Sequence, residues 1–232
     1  MLASLRYSRI ALIASIFAAL SFLSAYALWF SAGVTLSISI RATLELATQR
    51  PGLFGIGYLL QAVAFILWAL VPQSMGQKYR HAAPGLSQFV GLVGGFGFAW
   101  RALTDFARAG SIEYLGQLYA ATDPALKTLA EQIAAWAQLW TFGAVWEFMG
   151  NGLAFGVFPF VVGLMLVAAK RRNLGWAIAL LGGLAALSFI GSAIYYVAGI
   201  RIGLNFIVIP GLIAAGTSPL WLVWFAWLAD RD

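Results

Sequence analysis

"GVFPFVVGLMLVAAKRRNLGWAIALLGGLAALSFIGSAIYY", Gly156 to Tyr196, decides the fold. Two apolar runs flank one tight basic cluster, Lys170, Arg171 and Arg172. Each run is long enough to cross a hydrocarbon core of about 30 Å as a helix. A soluble fold would have to bury both runs completely. A membrane hairpin exposes them to lipid and leaves the charges at the headgroups. The runs are continuously apolar, whereas barrel strands alternate over about ten residues. Backbone groups in lipid must be satisfied within their own segment, so these are helices.

Similar runs recur along the chain at about 10–33, 53–72, 86–106, 142–169, 174–199 and 204–229. The reading is an all-α polytopic membrane protein, one domain over residues 1–232, with a bundle of six transmembrane helices. Composition agrees: 62% of residues are hydrophobic, only 9% are charged, and mean hydropathy is +0.88. Soluble chains are about half apolar and a quarter charged. The first run follows Arg6 and Arg9, and Ala25-Tyr26-Ala27 mimics a signal-peptidase site. It exceeds the apolar core of a signal peptide, roughly 7–15 residues, so a retained first span is expected.

Charge sets orientation. With six spans both termini share a side, which receives Arg6, Arg9, Lys78, Arg80, Lys170, Arg171, Arg172 and Arg231. The opposite side carries Arg41, Arg50, Arg108, Lys127 and Arg201, near balance with Glu45, Glu113, Asp123 and Glu131. The bias places both termini in the cytoplasm, and the short, compact loops suggest a bacterial inner membrane. The net charge of +6 is topological: the basic residues form no stripe with interleaved aromatics, so no nucleic acid is expected as partner. With no Cys and one His, disulfides, thiol chemistry and multi-histidine metal sites are excluded.

The two long external loops, about 34–52 and 107–141, carry amphipathic patterns. Ile112, Leu115, Leu118 and Tyr119 share a helical face. Asp123-Pro124 supplies an N-cap and a proline at the first helical position, and Leu126, Leu129, Ala130, Ile133 and Trp136 continue an apolar face. Helices on the membrane surface or over the bundle mouth fit that pattern. In the first loop "TLSISI" alternates like a strand while "RATLELATQR" reads as helix, and both readings stand. Gly91-x-x-x-Gly95 and Gly152-x-x-x-Gly156 suit close helix packing within the chain. Pro159 and Pro210 predict kinks in spans four and six. Gln61 and Asn151 suit interhelical hydrogen bonds.

"GFAWRALTDFARAG", Gly97 to Gly110, concentrates Arg101, Asp105 and Arg108 in a chain poor in charge. Counting about 1.5 Å per residue from Gly85 puts Arg101 about one turn inside the outer boundary, with Asp105 on the same face. Glu147, Asn151, Arg201 and Asn205 come to a similar depth from other segments. Two readings follow: an interfacial cluster that pairs locally within an aromatic belt, or an outward-facing polar pocket for a lipid, a quinone-like molecule or a hydrophobic metabolite. Its ligand-binding set is Arg101, Asp105, Glu147, Asn151, Arg201 and Asn205.

The chain has no H-E-x-x-H, G-x-S-x-G, P-loop, S-x-x-K or pair of intramembrane aspartates. No catalytic or metal-binding residue is assigned and no cofactor is expected, although a bound lipid is compatible with the pocket. The order of features resembles a family of uncharacterised bacterial six-span integral membrane proteins. The likeness rests on "RIALIASIFAALSFLSAY" (Arg9 to Tyr26), "LFGIGYLLQAVAFILWAL" (Leu53 to Leu70), "FARAGSIEYL" (Phe106 to Leu115), Gly156 to Trp176, and "PLWLVWFAWL" (Pro219 to Leu228). That family often places an acid before the final Trp-Leu run, whereas this chain has "GTSPLW", Gly216 to Trp221. The resemblance implies a six-span bundle and no particular activity. The leading expectation is a non-enzymatic binding or accessory subunit packing with lipids, pigments or other membrane-protein subunits. A small carrier for a hydrophobic or weakly charged solute is the alternative, and an intramembrane lipid-acting enzyme the third.

Overall fold

In the computed structural model, the described residues are 2–34, 39–136, 144–198 and 204–231, with side chains described for 7–34, 39–135, 148–194 and 209–231. Among them the chain is helical and contains no strand. The helices are α1 (Leu2–Ser31), α2 (Ile40–Gln49), α3 (Leu53–Trp68), α4 (Leu70–Tyr79), α5 (Pro84–Tyr119) and α6 (Pro124–Trp136). Then come α7 (Ala144–Asn151), a π-helical turn (Gly152–Val157), α8 (Phe158–Ala168), α9 (Arg172–Ala198), α10 (Leu204–Gly216) and α11 (Ser218–Asp230). Four segments are long and apolar enough to cross a membrane: Tyr7–Ser31, Leu53–Tyr79, Phe148–Ala168 and Arg172–Ile194. A fifth is a pair bent by 59°, Ile209–Gly216 with Ser218–Asp230. The long α5 is not among them, because its glycines and its charged residues dilute its apolar character.

Several boundaries differ from the sequence reading. The third segment does not end near residue 106: α5 runs on for 36 residues in all, about 54 Å. The second reaches Tyr79 through a junction at Ala69. At Pro159 the strain is taken up one turn earlier. Proline has no N–H and its ring crowds the preceding turn; here the chain widens to π geometry, and the N–H of Phe158 donates to the Leu153 carbonyl five residues back. Pro210 lies inside α10, while the 59° bend falls at Thr217, just before Pro219 opens α11. The bend keeps backbone partners: Thr217 N–H donates to Ile213 O at 2.9 Å, and Trp221 Nε1 donates to Ala214 O at 2.9 Å. Of the ambiguous first loop, residues 40–49 are helical, capped by Ser39 Oγ, which accepts from Ala42 N–H at 3.2 Å. Residues 35–38 lie outside the described residues.

Small residues set the closest packing. A methyl group added to Gly163 would overlap the backbone of Ala179, and one on Gly156 would overlap Ala186, so α8 and the π turn touch α9 backbone to backbone. On Gly97 it would stand 2.7 Å from Ala154 N, bringing α5 equally close. Gly91 and Gly95 both face Gln73 of α4, whose Nε2 donates to Gly91 O at 3.1 Å. Around these contacts runs a chain of rings: Phe22, Phe65, Trp68, Phe98, Phe155, Phe158, Trp221 and Phe225. Close dispersion contact and ring geometry hold these rings together.

The two ends differ. At one, Ser8 Oγ donates to Asp230 Oδ1 at 3.0 Å, Lys78 Nζ donates to Arg231 O, and Arg231 stacks over Trp227. At the other, α2 and α6 pack on the last turns of α5 around Leu44, Leu115 and Ala130. Thr48 Oγ1 donates to Gly116 O at 2.9 Å, and Arg41 pairs with Glu131 at 3.0 Å. Asp123 Oδ1 accepts from Ala125 N–H at 2.8 Å and starts α6. Ala130 and Ala134 of α6 turn toward this cap, whereas Leu129 and Ile133 are exposed.

Candidate functional site

Arg101 and Asp105 sit one turn apart on α5, and both are buried: their side chains are 5% and 0% exposed. Arg101 Nη2 donates to Asp105 Oδ1 at 3.3 Å, with Oδ2 at 3.4 Å. The guanidinium lies over the Phe65 ring, 4.9 Å from its centre, a cation–π contact that shields charge from hydrocarbon. On the other flank comes α7: a methyl on Gly150 would stand 3.3 Å from Arg101 Cδ and 3.0 Å from Trp100 Cδ1. The absent side chain there makes room for the arginine stem.

The depth of this pair follows from the α3–α4 ladder against α5. Tyr58 stands by Arg108, Phe65 by Arg101, Pro72 by Gly94 and Gly76 by Ser87. Phe65 is 12 residues from Leu53 and 14 from Tyr79 (65 − 53 and 79 − 65), so Arg101 lies at the middle of that candidate span. Along that helix pair it stands more than one turn from either end. Counting from Gly85 assumed that α5 leaves the apolar layer where its own hydropathy falls. Its outward face is apolar alongside the pair, through Phe89, Leu92, Phe96, Leu103 and Phe106, and turns to Gly110 and Ser111 about one turn beyond it. The charges turn inward beside an exposed stripe that is apolar.

Asn151 is buried at the entrance to the π turn, and its Oδ1 has no hydrogen-bond partner among the described residues. Arg201 lies outside the described residues, as do the side chains of Glu147 and Asn205. Arg101, Asp105 and the α7 backbone that carries Asn151 therefore come together; the remaining members of the expected set are not described.

A second charged contact was not singled out in the sequence. Glu113, on the extension of α5, accepts from Gly52 N–H through Oε2 and from Gly55 N–H through Oε1, both at 3.0 Å. Gly52 has φ +85° and offers no capping side chain, so the carboxylate of a distant helix satisfies the start of α3. The available signal was a helix start at Pro51-Gly52 with no Ser, Thr, Asp or Asn beside it. In the cap formed by α2, α6 and the end of α5, Glu131 raises the Arg41 pKa by hydrogen bonding, and loss of solvent, followed by nearby Glu45, raises that of Tyr119.

On the exposed flank a groove of about 440 Å³ runs between α5, α8 with its π turn, and α9. Phe89, Val157, Phe160, Val161, Gly183, Ala186 and Leu187 line it, and the lining is wholly apolar. No group of three His, Cys, Asp or Glu that could hold a metal occurs among the described residues.

These features define an all-helical protein with four or five segments suited to cross a membrane. Comparison with protein-family models, curated proteins and solved structures finds no match to this chain. The likeness to a six-span family seen in the sequence therefore transfers no functional residue.

Proposed function

We propose that this chain is a six-span membrane protein whose work is binding: an accessory subunit that packs with lipids or other membrane proteins. The six spans are the four candidate segments, the bent α10–α11 pair, and α5. The exposed apolar stripe of α5 and its register against α3–α4 support counting it. Both termini and the α4–α5 turn meet at the end rich in basic residues, which favours cytoplasmic termini in a bacterial inner membrane. The observation that carries the binding role is the lateral groove, which is apolar throughout and opens where lipid or a partner helix would lie. Purification in mild detergent followed by native mass spectrometry tests it. Retained lipid or a stoichiometric membrane subunit is the expected result, and a clean monomer carrying neither overturns it.

A carrier is the second reading, favoured by the mid-depth ion pair and the broken α10–α11 helix; intramembrane charges and discontinuous helices mark solute pathways. A carrier must open that region to each side in turn. A cysteine placed at the buried Ala102 would then be labelled from both faces of a sealed vesicle; labelling from neither face sets the carrier aside.

A further inference from the structure

We propose that the groove and the basic turn at its lower end form one site for an anionic phospholipid, acyl chain in the groove and headgroup on Lys170, Arg171 and Arg172. The inference rests on the lipid-binding form of the reading above and gives it a class of ligand. Phe160 of the groove is ten residues from Lys170, and Gly183 is eleven from Arg172 (170 − 160 and 183 − 172). At about 1.5 Å per residue, each separation is roughly 15–17 Å, within the reach of a lipid chain from its headgroup. The path between is continuous: on α9 the exposed Leu180 and Trp176 join the groove to Arg172.

The charge at that turn is open. Lys170, Arg171 and Arg172 are exposed, and no acidic side chain pairs with any of them among the described residues. Geometry adds an independent sign. Lys170 N–H donates to Val167 O and Arg171 N–H to Leu166 O, the paired bonds of a Schellman turn. Lys170 occupies its left-handed position, φ 64°, where glycine is the usual residue. A lysine held against its backbone preference keeps a third cation on a turn that glycine would close more comfortably. Three cations at the end of an apolar channel favour a headgroup of net negative charge over one whose phosphate is balanced by its own ammonium.

The test uses the full-length protein in mixed micelles, delipidated and then offered phosphatidylglycerol or phosphatidylcholine of identical chains, with binding read by native mass spectrometry. Wild type should prefer phosphatidylglycerol at least tenfold. R171Q/R172Q should lose roughly thirtyfold in phosphatidylglycerol affinity, as two surface charges would contribute, while its weak phosphatidylcholine binding stays. G183L, which plugs the groove, should lose both lipids. If G183L fails to fold, G183A serves: its methyl meets Phe160 at an ordinary 3.5 Å and should weaken both lipids severalfold. K170G should unfold at a higher temperature yet bind phosphatidylglycerol less. Because the basic turn also directs insertion, orientation of R171Q/R172Q is checked by labelling a cysteine placed at Thr122. Equal binding of the two lipids, or wild-type phosphatidylglycerol binding by a folded groove variant, overturns the site. If stoichiometric subunits copurify while that preference is missing, the site falls and the accessory reading stands; loss of both overturns both.

Discussion

Arg101 and Asp105 show what a charge needs in order to be buried in an apolar bundle. An isolated charge in hydrocarbon costs several kcal/mol on most scales. Here each has the other at 3.3 Å, and the guanidinium has an aromatic face beneath it. Removing one partner takes a close counter-charge from a group that stays buried. D105A should therefore lose about 3–5 kcal/mol of stability, measured by unfolding in detergent. Replacing both with apolar residues, R101M/D105L, should recover most of that loss, because the desolvation cost disappears along with the attraction. A double variant as unstable as the single one would show that the pair is not the unit that matters. The identities of these residues and their shared helix face were legible from spacing alone. Their place beside the middle of α3–α4 was not, since it depends on how far the neighbouring helix extends beyond the point where α5's own hydropathy drops.

At the scale of elements, hydropathy locates the helices and tertiary contacts decide where they stop. The polar stretch Arg108 to Glu113 looked like an exit from the membrane, yet no proline follows Pro84 until Pro124. Gly110 and Ser111 alone do not break a helix whose flank is packed by α2 and α3. Conversely, Pro210 drew attention as the kink, while Pro219 sits at a helix start where proline is well tolerated. Their sequence context cannot tell which turn has a neighbour ready to accept the freed groups. Ser188 Oγ, which accepts from Gly211 N–H at 3.0 Å, is one such neighbour. Glu113 works similarly across space. E113A should cost about 1–2 kcal/mol, the range of a lost helix cap, and should raise amide exchange first in the opening turn of α3. Uniform exchange throughout the bundle would argue against a local capping role.

For the whole molecule, the decisive question is whether α5 crosses the membrane. The chain has no cysteine, so single-cysteine labelling gives a clean answer. Cysteines placed at His81 and Thr122, on either side of α5, should label from opposite faces of sealed vesicles. Labelling from the same face would remove α5 as a span and with it the common side proposed for the termini. The length of α5 has one more consequence. A single uninterrupted helix of 36 residues carries both the buried ion pair and the platform on which α2 and α6 are mounted. A roof built on an axle cannot swing independently like a lid; it turns or tilts only as its shaft does. Traffic to the interior would then enter between helices from the side, as a lipid does, and not through a door at the top.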